Sequence, residues 1–273
     1  MFFSVFWRSS DKQKIAEAFN EYFLSIYSKG YQDSEMTFDL KTTSQMNSNP
    51  TDIIKLDNIE KRLSKLKSNK SSGCDRVHPH VLKSCAKALA IPLYLIFINS
   101  LTNGVIPEEW TKANITPVHK KGNKSELSNY RPISLTSIVC KILEGIIRDQ
   151  IMQHMKANKL LSTKQHGFVN NRACNTNLLS CQDMTSKAAQ MNNPVDILYT
   201  DFSKAFDKKD HKKLLLKIKS YGIDSYAHRW IKAFLDRRKQ KVIMGKAEMR
   251  MGICAKWCCS RKRTRCNSLC YIH

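Results

Sequence analysis

From Asp11 to Ser28 the apolar positions Ile15, Ala18, Phe19, Tyr22, Phe23 and Ile26 recur at helical spacing, and Gly30 stands just past the last of them. That period predicts an amphipathic helix with one face to bury. The stretch from Gln32 to Thr51 is rich in Ser, Thr and Asn, holds few apolar positions and reads as a loop or linker. Helical period resumes at Leu63 and Leu66 after a capping-box-like start at Asp57 and Glu60, and Ser71-Ser-Gly-Cys-Asp75 breaks it. A long apolar helical region follows from about Pro79 to Asn103 and closes at Gly104. Between Trp110 and Lys121 the pattern becomes strand-like, with Ala113, Ile115 and Val118 among polar neighbours and His119-Lys-Lys-Gly122 as the turn. Ile138 to Met155 is helical again, and Val195-Asp-Ile-Leu-Tyr199 is a β-rich run that delivers Asp201 at its end. Two more helices are predicted, about His211 to Tyr221 with Gly222 after it and about Tyr226 to Arg238 with Ser225 as a candidate cap.

Charge adds a partner to this pattern. Of the 273 residues 42% are apolar, enough to bury the core of one large domain or two small ones. Against 46 Lys plus Arg stand 23 Asp plus Glu, a net charge of +23 spread along the whole chain. An excess of that size repels itself unless a polyanion is the usual partner, so nucleic acid is the expected one. Met1-Phe-Phe-Ser-Val-Phe-Trp7 has no basic stretch before its apolar residues, so no signal peptide is expected. The longest apolar run, Ala88 to Leu101, is interrupted by Pro92 and Asn99 and is shorter than the roughly 20 residues that span a bilayer. It predicts a buried helix and no membrane partner. Ten cysteines then read as reduced thiols of an intracellular chain, in cytoplasm or nucleus, that is not secreted.

Asp201, at the end of its β-rich run, occupies the kind of position where carboxylates supply hard oxygen ligands to divalent cations. Taken alone, an Asp after a strand is more often a turn or helix-cap residue. Its neighbours change those odds: Asn129-Tyr-Arg131-Pro-Ile-Ser-Leu135, Lys164-Gln-His-Gly167-Phe168, and Tyr199-Thr-Asp201-Phe-Ser-Lys-Ala-Phe206-Asp207 followed by Lys208-Lys-Asp-His211. In this order and spacing they resemble the reverse transcriptases of non-LTR retrotransposons of the jockey-like kind, over about Asp11 to Met244.

The resemblance implies an α+β fold, a right-hand polymerase fingers and partial palm, mostly helical with a small incomplete antiparallel sheet. It divides the chain into an N-terminal helix and polar linker (1–50), fingers (51–190), partial palm (191–245) and a tail (246–273). It implies RNA-directed DNA synthesis with two Mg²⁺ ions, an RNA template, a DNA primer and deoxynucleoside triphosphates as partners. Asp201 aligns with the family's first metal-binding aspartate, and Phe206 with the aromatic steric gate that rejects a ribose 2′-OH; plain core packing is compatible with that role. Arg131 matches the fingers arginine that contacts the triphosphate, a role suited to a planar, permanently charged fork. Lys120 and Lys121 both match the basic turn near the same phosphates, and the sequence leaves open which is used. Gln165, Gly167, Phe168 and Arg172 match a segment that lies along template and nucleotide.

Departures are as informative as matches. Lys209 stands where a small apolar residue is usual, and Cys74 replaces a usual proline in the Ser72-Gly-Cys-Asp75 turn. The family's Gln-Gly segment and Ala-Asp-Asp turn do not occur, so the chain is expected to be truncated and inactive by itself; a non-catalytic basic RNA- or DNA-binding protein is the alternative. The tail after Met251 has no Asp or Glu, five cysteines and the basic run Arg261-Lys-Arg-Thr-Arg265. Cys254-x3-Cys258 and Cys266-x3-Cys270 lack the usual Cys-x2-Cys zinc spacing. Shifted forward by one base, codons for Lys256 to His273 instead permit Gly at Trp257 and then Gln-Gly-Ser from Ser260, which matches the absent segment. The tail therefore reads as out-of-frame translation.

Overall fold

The computed structural model describes residues 11–26, 37–46, 49–167, 169, 171–201, 210–245, 247–248 and 252–253. Its sheet is organised around β1 (Lys112–His119), which pairs antiparallel with β2 (Tyr130–Leu135) from Asn114 opposite Leu135 to His119 opposite Tyr130. On its other edge β1 runs parallel to β3 (Lys239–Met244), with Ile115 opposite Val242. Two short strands, β4 (Ala247–Glu248) and β5 (Gly252–Ile253), pair antiparallel with β3. The α+β expectation stands, and the sheet is mixed: a parallel β1–β3 pair needs a long crossover, which the intervening helices supply.

Alternation decides which face of the sheet is covered. Ala113, Ile115, Gln240 and Val242 are buried on one face, where α1 (Lys12–Ile26) lays Ala16, Phe19 and Phe23. Asn20 of α1 accepts from the Gln240 side chain at 3.4 Å, so the two buried amides serve each other. The N-terminal helix is thus the second layer of the sheet.

A larger core gathers the remaining helices. It joins α2 (Pro50–Ile53), α3 (Leu56–Ser64), α4 (Pro79–Ser84), α5 (Ala86–Asn103), α6 (Glu108–Thr111), α7 (Ile138–Ala157), α9 (His211–Ser220) and α10 (Tyr226–Leu235). Phe97, Leu63, Leu101, Leu143 and Ile218 are fully enclosed there. The long apolar region breaks at Cys85 into α4 and α5, and α5 ends at Gly104 with φ of 65°, the left-handed stop that its sequence predicted. α5 is long and apolar enough to cross a membrane by length and composition, but it buries Ala90, Leu93, Phe97 and Leu101 on one face while Ile91 and Leu95 stay exposed on the other.

Several expectations change. The capping box at Asp57 and Glu60 does not form, because α3 starts two residues earlier, with Lys55 as its N-cap. Ser225 precedes α10 as expected but donates its hydroxyl to Met46 O at 2.9 Å instead of capping. That bond belongs to a tie between residues 37–46 and the α9–α10 turn, where Lys41 N donates to Ser220 O and Met46 N to Gly222 O, each at 2.8 Å. Met46 is buried, so this part of the polar segment is docked. The run Val195 to Tyr199 is not a strand: it finds no pairing partner among the described residues, and Leu198 and Tyr199 are more than four-fifths exposed. A strand exists only through a neighbour's backbone groups, which its side chains alone do not provide. α8 (Cys174–Gln190), which no clear period announced, buries no residue.

Candidate functional site

The turn joining β1 to β2 is closed by local chemistry. Lys120 N donates to Asn129 O at 2.8 Å, extending the ladder one step past His119 and Tyr130. Gly122 takes φ of +83°, open to glycine without strain. Asn123 Oδ1 accepts from Ser125 N at 3.0 Å, and a single 3₁₀ turn (Leu127–Asn129) drops Leu127 into the core beneath α1. The Asn129 amide donates to Asn123 O at 2.9 Å and to Glu126 Oε2 at 3.1 Å. Tyr130 donates its hydroxyl to Lys124 O at 3.1 Å, and burial pushes that phenol's pKa up, keeping it a neutral donor.

Register then separates the two faces. Opposed residues of an antiparallel pair share a face, as do residues two apart on one strand. Tyr130 and His119 oppose each other, and the Tyr130 ring meets Phe19 of α1 edge-on at 4.8 Å and His119 at 5.2 Å, so this face is the buried one. Arg131 opposes Val118, and Lys120 lies two residues beyond Val118. Both cations therefore stand on the other, exposed face as diagonal neighbours, about 7–8 Å apart at the backbone. Lys121 sits in the bend beyond the ladder, where register no longer sets its direction.

The two ends of β1 differ electrostatically. At its start Lys112 bonds Glu109 at 2.6 Å and Glu108 at 3.3 Å, while Lys239 reaches Glu108 at 3.5 Å. The hydrogen bond from Lys112 and then its charge hold the Glu108 carboxyl below its usual range. At the tip Lys120, Lys121, Lys124 and Arg131 form no ion pair with described residues. Four cations on one hairpin tip, none of them ion-paired with a described residue, suit that surface to phosphate. Lys124 went unremarked in the sequence, although it is the third lysine of one turn.

The other expected site residues are not brought to this tip by any described contact. Gln165 and Gly167 lie in the loop before α8, where Arg172 donates to Gln165 O at 2.6 Å and Gln165 Nε2 to Gly167 O at 3.4 Å. Arg172 thus holds its own loop together, and a Cβ at Gly167 would meet nothing within 4 Å. Asp201 is exposed at the end of the unpaired run. Phe206 and Phe168 lie outside the described residues, as do the cysteines of the tail. Among the described residues no three His, Cys, Asp or Glu side chains cluster as metal ligands.

Cys74, the departure from proline, packs its sulfur 3.1 Å from Lys112 O and 3.3 Å from Glu109 O at the foot of β1. Burial foremost, and then the charge of Asp75, push its thiol pKa up.

Residues 118–258 match the family model described as reverse transcriptase (RNA-dependent DNA polymerase). The chain is 28% identical over 215 residues to the probable RNA-directed DNA polymerase from transposon BS of Drosophila melanogaster, covering 76% of this chain and 23% of that protein. It is 28% identical over 204 residues to the RNA-directed DNA polymerase from mobile element jockey of Drosophila funebris, covering 74% and 22%. To the retrovirus-related Pol polyprotein from type-1 retrotransposable element R2 of Popillia japonica it is 24% identical over 154 residues, 56% of this chain and 21% of that one. The chain spans less than a quarter of the length of these relatives.

Proposed function

Because the chain belongs to the reverse transcriptase (RNA-dependent DNA polymerase) family, we propose that it supplies the fingers (51–190) and first part of the palm (191–245) of an intracellular RNA-directed DNA polymerase of a non-LTR retrotransposon. Its partners in this reading are an RNA template, a DNA primer and deoxynucleoside triphosphates. The observation that carries it is the register of the hairpin, which turns Lys120 and Arg131 to one exposed face and roots the opposite face in α1. Arg131 offers a planar fork to two phosphate oxygens, and Lys120 adds a point charge beside it. Together they hold an incoming triphosphate and offset the charge that grows on its oxygens as the primer hydroxyl attacks. Of the two adjacent lysines, Lys120 has this role, because only it lies in the ladder with Arg131.

The family's chemistry uses divalent cations, in this reading Mg²⁺, and Asp201 is the first of their carboxylate ligands. The described residues do not assemble that site by themselves, since Asp201 joins no cluster of three candidate ligands. In this reading the 273 residues, which carry neither the family's Gln-Gly segment nor its Ala-Asp-Asp turn, bind without extending a primer.

The test uses the purified chain with Mg²⁺, an RNA template, a DNA primer and deoxynucleoside triphosphates. Nucleotide affinity is expected to fall about tenfold in Lys120→Ala and in Arg131→Ala, the scale of a charged hydrogen bond, and to change less than about twofold in Lys121→Ala. No primer extension is expected. Extension that disappears in Asp201→Ala overturns the assignment of binding alone, and failure to bind nucleotide overturns the triphosphate role of the hairpin.

A further inference from the structure

The hairpin tip carries one carboxylate among its cations. From Lys120 to Tyr130, Glu126 is the only acid beside Lys120, Lys121 and Lys124. An acid two turn-residues from a lysine, as Glu126 is from Lys124, is ordinarily free to pair with it and to cancel a charge that a phosphate would otherwise meet. Here it does not. Glu126 forms no ion pair with a described residue; its Oε2 accepts instead from the Asn129 amide at 3.1 Å, and the same amide donates to Asn123 O at 2.9 Å. Both donors of Asn129 are thereby used inside the turn, while its carbonyl closes the ladder to Lys120 N at 2.8 Å. Gly122 leaves the room for this arrangement: a Cβ there would stand 2.7 Å from Asn129 Nδ2.

We propose that Asn129 is a positioning residue of the phosphate-binding hairpin, whose side-chain amide occupies the Glu126 carboxylate and so keeps the lysines of the turn available to phosphate. It rests on the reading that the hairpin binds phosphate. Asn129 touches no ligand in this role. It acts through Glu126, by giving that carboxylate a neutral partner in place of a cationic one. The backbone bond from Lys120 N does not depend on the side chain, so Asn129→Ala keeps the ladder and releases the carboxylate together with Asn123 O, and Glu126→Gln separates the two losses.

The experiment measures binding of inorganic tripolyphosphate at low salt to the full chain and to Asn129→Ala, Glu126→Gln and the double variant, each checked for a native thermal melt. Asn129 is half-buried in the turn and belongs to neither core, so the variants are expected to fold. Asn129→Ala should weaken binding about fivefold, the scale of one surface charge pair formed within the turn. Glu126→Gln alone should bind as well as the parent or slightly better. The double variant should regain parent affinity, because an amide at position 126 has no charge to offer the lysines. A turn that was merely loosened would not be restored by Glu126→Gln, so a double variant as weak as Asn129→Ala overturns the proposal, as does an Asn129→Ala variant that binds like the parent. If the parent chain ignores tripolyphosphate, and Lys120→Ala and Arg131→Ala change nothing, the reading of the hairpin falls and this proposal with it.

Discussion

Gly73 has no side chain, and the fold leaves no place for one: a Cβ there would lie 2.5 Å from Thr136 O and 2.8 Å from Ser137 N, both backbone atoms. The close approach seats the Ser71 to Arg76 turn at the foot of the hairpin, where β2 hands over to α7 and Ser137 caps that helix by accepting from Cys140 N at 3.3 Å. Because backbone cannot rotate aside as a side chain can, Gly73→Ala is expected to destabilise by about 1–3 kcal/mol, read as a lowered denaturant midpoint. The next residue, Cys74, has a thiol pKa pushed up by burial and by Asp75, so less of it is thiolate at any pH near neutral. Maleimide labelling at mildly alkaline pH is expected to modify exposed Cys85 and Cys174 well before Cys74, and unfolding should abolish the difference. Cys74 labelling as fast as Cys85 in the native chain would contradict its seat against Lys112 O.

At the scale of elements, α1 and α8 are opposites. α1 covers the sheet with Phe19, fully buried and in edge contact with Tyr130, the residue just before Arg131. Phe19→Ala is expected to cost about 3–5 kcal/mol and to loosen the hairpin as well as the helix, so amide exchange at Lys120 should speed up with it. α8 buries nothing, and Leu178 and Leu179 are about two-thirds exposed, so Leu178→Ser with Leu179→Ser is expected to change stability by less than about 0.5 kcal/mol. A large loss in that double variant would show that α8 packs on a surface in solution. The docked residues 37–46 lie between these cases: Gly222, with φ of +77°, makes its turn where a Cβ would meet Ser44 O at 2.1 Å. That contact joins a segment before α2 to helices that follow it by more than 160 residues of chain.

Across the whole molecule the excess charge of +23 sets the behaviour toward nucleic acid. Binding should be sequence-independent and should weaken steeply as salt rises, since each phosphate contact releases condensed counterions. The slope of log affinity against log salt is expected to become shallower by about one for each of Lys120→Ala and Arg131→Ala. Salt-insensitive binding would refute the electrostatic account. The larger core runs from Met46 to Leu235 and joins helices α2 to α7 with α9 and α10, so the described residues that build it should unfold in one cooperative transition.

Much of this was legible in the sequence because it is local. The helical period of Ile15 to Ile26, the left-handed stop at Gly104, the strand before the turn at Gly122 and the helix from Ile138 all rest on side-chain spacing and turn chemistry, although that strand begins at Lys112 and Trp110, expected in it, lies in α6. The family, too, could be read from ordered short motifs, and Arg131 and the two lysines stood within them. What spacing does not encode is a partner distant in the chain. β2 and β3, with little alternation to announce them, became strands because β1 offered backbone groups on both edges. The run Val195 to Tyr199, with a stronger β signature, did not, because no described neighbour offers any. The proposal of Lys120 over Lys121 likewise rests only on register against Asn129 and Arg131. Residue identity sets which groups can bind a phosphate, and long-range pairing sets which of them face it.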